Sequence, residues 1–489
     1  MPPNPAHPLT VLQRRWPLWL ACVLLAPVLV NRLAPAFMDA DAVIPALMST
    51  QHLTLFYWGQ DRLAGVLPLL FSPVASLQWN LLLQLCANAA AYFLLLEGVA
   101  EVACLLLPGP PPPLRRPLLF SLLVALPLLL LRPFALYQFA AGPQPYALSF
   151  ALLIWAALLW RRRSSLRAAP WLCALLLAVS LGLNPATLLL AAALWAFQAR
   201  LGQERAWRGF LLRAVALFAV WTVLSRTYPL HSPSSYLQFS PTTVPAALQQ
   251  SIADLRNNAI RPRYFVALFV AVSLGLQQRG IAILPLDLRR AMRAVLGFGV
   301  CWWLFFLSNR WVQDNGCAFR YFMPLVFAPI LVFAVALTAC IEDLALRRLP
   351  AAIIGACLTA FACFAVRPWT PVMAYDAFTA VAAPLHVAKE RHIRYFAGDY
   401  WQAWPVIFAL RSENLPAMGA FSRGSAMRET IIAALHAELQ RGERPLAMCI
   451  HRPLPTCQDH LLELSRMHWE LADLPPEADS LFLQPSLAR

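Results

Sequence analysis

Apolar runs of about 15 to 25 residues recur along most of this chain, each separated from the next by a short polar or Arg-bearing stretch. Eleven such runs, at 16–33, 79–105, 117–133, 146–160, 170–184, 186–199, 209–226, 264–278, 292–308, 321–340 and 350–366, predict membrane-spanning helices. A twelfth, 63–77, predicts either a shallow helix on the membrane or an extra short span. Beyond residue 366 the pattern changes. Helical spacing over 425–441, a strand-like run from Pro445 to Ile450 and helical spacing over 458–471 predict a small mixed domain. The expected architecture is an all-α polytopic membrane module over 1–366, with about 11 transmembrane helices, followed by a small α/β extracytoplasmic C-terminal domain over 367–489.

Composition agrees. The 489 residues are 60% hydrophobic and 13% charged, against about 25% charged in soluble domains. Arg14 and Arg15 precede the first apolar run, but no small-residue cleavage site follows it, so the segment is read as retained. The net charge of +15 does not indicate nucleic acid. The basic residues are Arg except for Lys389, and the tail carries 12 basic and 13 acidic residues. The excess lies in loops between apolar runs, where it marks topology. One set of loops holds 18 basic residues and the alternate set nine, which places the N-terminus in the cytoplasm. An odd number of spans then puts the tail outside, in a multi-pass bacterial inner membrane. Most of the 11 cysteines sit inside apolar runs as small hydrophobes. Cys449 and Cys457 form a disulfide if the tail lies in an oxidising compartment; otherwise they are a free buried pair.

With this topology every long loop is outside: 34–78, 134–145, 227–263, 309–320 and the tail. There is no Walker motif, no Gly-rich dinucleotide turn and no HExxH. The cytoplasmic side therefore has nowhere to hold a soluble nucleotide, and any catalytic site belongs outside.

The first outside loop carries the main signal. Asp39 and Asp41 follow the first span directly, where carboxylates are costly. In an extended segment they face the same way. Such a pair either binds a divalent cation (Mg2+ or Mn2+) or splits its pKa values and leaves one general base. The bland reading is that they cap the next helix. The same loop ends in Tyr57-Trp58-Gly59-Gln60-Asp61-Arg62, followed by Gly65. Trp58 suits a sugar face, with Gln60, Asp61 and Arg62 beside it; an interfacial aromatic belt explains the same residues. Arg310, Asp314, Arg320 and Tyr321 surround a short outside loop, where Arg320 would grip a phosphate or snorkel to headgroups. Arg256, Arg261 and Arg263 form a second cationic cluster in a loop that also holds His231 and Tyr236, and they suit a lid. In the tail, Gly398-Asp399-Tyr400-Trp401-Gln402-Ala403-Trp404-Pro405 is dense in aromatics beside an acid. It either faces the membrane site or packs the tail onto the bundle.

An acidic pair after the first span, Trp58-Gly59-Gln60-x-x-x-x-Gly65, Gly182-x-Asn184-Pro185 and Arg320-Tyr321-Phe322-x-Pro324 together resemble the C-type (GT-C) membrane glycosyltransferases, of the kind that move mannosyl or aminoarabinosyl groups. The resemblance covers about residues 10–366. It implies a sugar donor linked to polyprenyl phosphate, an acceptor glycan, lipid or protein of the envelope, and inversion at the anomeric carbon. It implies that Asp39 or Asp41 takes the proton of the acceptor hydroxyl, with Trp58, Gln60, Asp61, Arg62, Arg261, Arg263, Arg320 and Tyr321 as substrate-binding residues. The Ala between the acids departs from the adjacent acids common in that family. Two rival readings remain: a transporter or lipid-linked glycan flippase, for which Glu97 and Glu101 are the best charged residues within a span, and a membrane scaffold.

Overall fold

The computed structural model describes residues 8–58, 65–105, 107, 112–161, 168–200, 204–227, 238–276, 284–343, 348–419 and 427–486. The membrane part runs α1 (Pro8–Phe37), α2 (Ala40–Thr50), α3 (Val66–Phe71), α4 (Leu77–Cys104), α5 (Arg115–Leu130), α6 (Pro133–Leu136), α7 (Tyr146–Arg161), α8 (Ala169–Leu183), α9 (Thr187–Arg200), α10 (Glu204–Thr227), α11 (Val244–Asp254), α12 (Tyr264–Leu276), α13 (Leu286–Leu307), α14 (Arg310–Asp314), α15 (Met323–Asp343) and α16 (Leu349–Ala365). Each of the eleven predicted apolar runs is a helix. Among the described residues, five helices are long and apolar enough to cross a membrane: Trp16–Phe37, Leu77–Cys104, Trp207–Leu224, Leu286–Leu307 and Phe319–Asp343. The bent pair Pro133–Ala141 and Tyr146–Arg161 makes up to six. Others, such as α8, α12 and α16, are shorter apolar helices, so the count of eleven spans is not confirmed among the described residues. Helices of this length and apolarity make the chain a multi-pass membrane protein.

The expected loop 34–78 is largely folded. α1 continues to Phe37, and α2 is buried from Ala40 to Ser49. Gly65 closes the following turn where two backbones cross. A Cβ there would lie 2.3 Å from the carbonyl oxygen of Thr54, so no other residue fits without moving the chain.

Two π-helical turns, Tyr137–Ala141 and Leu255–Ala259, flank the mouth of the bundle. The first is followed by Gly142-Pro143-Gln144-Pro145, whose two prolines remove backbone donors and end the helix. The axis bends 54° there. An antiparallel bridge between Leu131 and Ile260 ties the two π turns together.

The tail is α/β, as expected. It contributes α17 (Asp376–Thr379), α18 (Ala382–Glu390), β1 (Tyr395–Gly398), α19 (Tyr400–Ser412), β2 (Met418–Gly419), α20 (Arg428–Gln440), β3 (Ala447–Ile450), α21 (Leu454–Ser465), β4 (Trp469–Leu471) and β5 (Ser480–Pro485). The sheet order is β2-β1-β3-β5-β4, with β1 parallel to both β2 and β3, and β5 antiparallel to both β3 and β4. β1 and β3 are buried on both faces, which explains their unbroken apolar runs. Cys449 and Cys457 are joined in a disulfide. One continuous hydrophobic core runs from the membrane helices into this sheet. Buried Asn31 of α1 reinforces the junction: its amide donates to the carbonyls of Arg367 and Pro368 and accepts from the Thr370 N–H at 3.0 Å.

Candidate active site

The chain leaves α1 at Phe37, extends through Asp39 (φ −128°, ψ 180°) and enters α2 with Asp41 in its first turn. The two acids therefore do not share one extended face, as the sequence suggested. Asp39 is extended, Asp41 is helical, and their side chains part. Asp39 occupies the N-cap position of α2, but its side chain makes no capping bond. The Ala42 N–H nonetheless lowers its pKa, so Asp39 keeps part of the cap role.

Each acid meets one glutamine from the broken helix. The Gln138 amide reaches Asp39 Oδ2 at 3.4 Å, and the Gln144 amide donates to Asp41 Oδ2 at 3.2 Å. The bend between them lets residues six apart serve two separate carboxylates. Asp41 is further held by the Tyr400 hydroxyl, which donates to Oδ1 at 2.6 Å, while the Tyr57 hydroxyl donates to the Asp41 carbonyl at 3.3 Å. Asp41 is 4% exposed. Asp39 is half-buried, yet its Oδ1 is closed to solvent and has no hydrogen-bond partner. Burial raises the Asp39 pKa above the usual carboxylate range, and the negative charge of Asp41 adds to the rise. Arg320 and the Gln138 amide pull the other way.

Arg320 enters from the turn before α15. Its Nε is buried without a partner, and its guanidinium lies 5.4 Å from the centre of the Tyr321 ring. Tyr321 in turn packs edge-on against Tyr146 at 6.4 Å. Arg320 thus acts electrostatically on both Asp39 and Asp41, with Tyr321 packed beside it.

Beside the end of α1 opens a cavity of about 740 Å³. Phe37, Phe134 and two prolines give it apolar walls, while Arg132, Arg261 and Arg263 supply its charge, with Asn257 and Asn258 alongside. Among the described residues none of the three arginines has a carboxylate partner. Burial and the neighbouring charges of Arg263 and Arg132 press the Arg261 pKa downward. Three unneutralised guanidinium groups facing one cavity make an anion site. The backbone holds two of them in register: the Arg132 N–H donates to Ala259 O at 2.8 Å and the Arg261 N–H to Leu130 O at 2.9 Å.

Other expected residues lie elsewhere. Trp58 is 1% exposed, 6.1 Å from Trp404, with its indole N–H donating to His52 O. It is part of the packing between tail and bundle, with no open face for a sugar ring. Gln60, Asp61 and Arg62 lie outside the described residues, as do His231 and Tyr236. Arg256 is not among the residues that line the cavity, and Arg310 pairs with Asp314 at the surface, 3.8 Å apart. Asn184 forms the expected turn, accepting the Ala186 N–H on its side-chain oxygen. Glu97 is fully buried and paired with Arg116, which also reaches Glu101 at 3.6 Å, while Arg115 grips Glu342 with two bonds of 2.8 and 2.7 Å.

Sequence reasoning missed Gln138, Gln144 and Arg132. For the glutamines the only signal was Gln138 ahead of a Gly-Pro-x-Pro break and Gln144 inside it. Tyr400 belonged to a motif already singled out, and the structure settles which alternative that motif serves: Trp404 packs the domains together while Tyr400 reaches the acid pair.

Both oxygens of Asp41 are taken by Tyr400 and Gln144, and only one oxygen of Asp39 is left over. Among the described residues no cluster of three His, Cys, Asp or Glu side chains could hold a metal ion.

No protein-family model matches this chain, and no curated protein matches it. Among solved structures it is similar to the crystal structure of ArnT from Cupriavidus metallidurans in the apo state, at 13% identity and a TM-score of 0.35, over 97% of this chain and 98% of that one. Neither the site nor its chemistry rests on so slight a likeness.

Proposed function

We propose that this chain is an integral membrane glycosyltransferase that moves a sugar from a polyprenyl-phosphate donor to an envelope acceptor on the non-cytoplasmic face, with inversion. The observation that carries the reading is a half-buried carboxylate with one oxygen lacking a hydrogen-bond partner, Asp39 Oδ1, two residues along the chain from Phe37, which lines an arginine-bearing cavity at the end of a membrane span. A lipid-linked phosphate has the two halves that cavity offers to match: apolar walls for the start of the chain and guanidinium groups for the phosphate. The Cys449–Cys457 disulfide fits a tail in an oxidising compartment.

In this reading the two acids divide the labour. Asp41, fixed by two donors, orients the site. Asp39, with its pKa raised, is the general base: its free oxygen takes the proton as the acceptor hydroxyl attacks the anomeric carbon. The carbon–phosphate oxygen bond breaks on the opposite face, and the polyprenyl phosphate leaves with its charge held by Arg261, Arg263 and Arg132, or by Arg320. Asp39→Asn keeps the volume and removes the base. Purified wild-type and variant proteins in nanodiscs, given a radiolabelled polyprenyl-phosphate hexose and a delipidated envelope extract, should differ about 1,000-fold in label transferred. Full transfer by the variant would remove the catalytic assignment.

A further inference from the structure

We infer that Tyr400, carried by the C-terminal domain, is a positioning residue for the acid pair: its hydroxyl holds Asp41 Oδ1, so the pair is set only while that domain is docked. The inference rests on the reading of Asp39 and Asp41 as the reactive pair and adds a part of the chain that this reading did not require.

The geometry is built rather than incidental. The contact closes at 2.6 Å between residues 359 apart in sequence. Three features aim Tyr400. Gly398 (φ +106°) ends β1 so tightly against β3 that a Cβ would lie 2.3 Å from the carbonyl oxygen of Ile450. Asp399 then caps α19, its Oδ1 accepting the Trp401 N–H at 2.8 Å, while its own N–H donates to Ile450 O at 2.7 Å and its carboxylate lies 3.6 Å from Arg452. Trp404, one turn on, sits 6.5 Å from the Tyr400 ring and 6.1 Å from Trp58 of the membrane part, fixing the direction of the helix. The disulfide from Cys449 of β3 to Cys457 of α21 braces the strand end on which Asp399 leans.

Among the groups that face the pair are Gln138, Gln144 and Tyr137 from the broken helix, the Ala42 N–H of α2, Arg320 from the turn before α15, Tyr57 from the segment after α2, and Tyr400 from the tail. The Tyr400 bond to Asp41, at 2.6 Å, is shorter than that of Gln144, at 3.2 Å. A hydrogen bond donated to a carboxylate favours its ionised form. Removing the hydroxyl therefore raises the proton affinity of the pair.

The test needs no substrate. Infrared titration of the protonated-carboxyl stretch, on the purified full-length protein in nanodiscs, reads the pair directly, with Asp39→Asn and Asp41→Asn identifying its bands. Tyr400→Phe should move the midpoint up by about one pH unit. Replacing Tyr400 with 2,3-difluorotyrosine, a stronger donor of the same shape, should move it down, which guards against a folding defect in the first variant. Midpoints unmoved in both proteins would overturn the inference while leaving catalysis by Asp39 intact. Unimpaired transfer by Asp39→Asn would do the reverse.

Discussion

Among the described residues, the membrane part buries carboxylates at two places and treats them in opposite ways. In the Arg115–Arg116 cluster, Glu97, Glu101 and Glu342 meet Arg116 and Arg115, and each acid has a cation in contact. At the end of α1, Asp39 and Asp41 meet amides and phenols, Arg320 acts on them without a direct ion pair, and one oxygen is left with nothing. The first arrangement neutralises charge and clamps α4, α5 and α15 together. The second leaves one buried oxygen of Asp39 without a hydrogen-bond partner, which costs stability and is retained where chemistry uses it. Burial of an acid within a membrane protein thus marks a site only when its partner is missing. By that criterion Glu97 and Glu101, the strongest support for a transport reading, are structural.

The comparison can be broken from either side. The largest effect is expected in the clamped cluster. Arg116→Met leaves Glu97 buried without its partner and should cost about 3 to 5 kcal/mol, read as a lowered unfolding temperature in detergent. Asp39→Asn should leave that temperature unchanged or raise it, since the substitution removes a buried charge. A next effect, smaller and confined to the outer site, is on pH dependence. Asp39 must be ionised to accept a proton, and its pKa lies above the usual range, so transfer should fall as pH drops through that raised value. Asp41→Asn removes the charge that adds to the rise and should move this acid limb to lower pH. Arg320→Gln removes the charge that opposes it and should move the limb up, each by on the order of one unit. A pH–rate profile of the three proteins decides the point; shifts of the same sign in both variants would contradict the assignment. The smallest effect belongs to a pair that is neither clamped nor catalytic. Arg310 and Asp314 are both more than half exposed, and Arg310→Ala should change stability by less than about 0.5 kcal/mol and leave transfer unaltered.

Much of this site could be read from the chain before folding, and the reasons are specific. Asp39 and Asp41 were conspicuous because acids at the end of a span are expensive. Arg261, Arg263 and Arg320 stood out as cations in outside loops whose neighbours were apolar. Glu97 and Glu101 were visible as exceptions, but their acquittal was not, because Arg116 lies in the next helix and only packing brings it close. Trp58 had the composition of a sugar platform, and only its burial against Trp404 showed otherwise.

The hydrophobic periodicity alone determined that this is a multi-pass helical protein with a small α/β tail, since apolar length and repeat follow from local chemistry and from the thickness of a bilayer. Tertiary structure decided which helices are full length, where the seventh helix breaks, and which acid keeps a free oxygen. Those outcomes depend on contacts between residues hundreds of positions apart, such as Tyr400 with Asp41, and no local pattern encodes which distant donor will arrive at a given carboxylate.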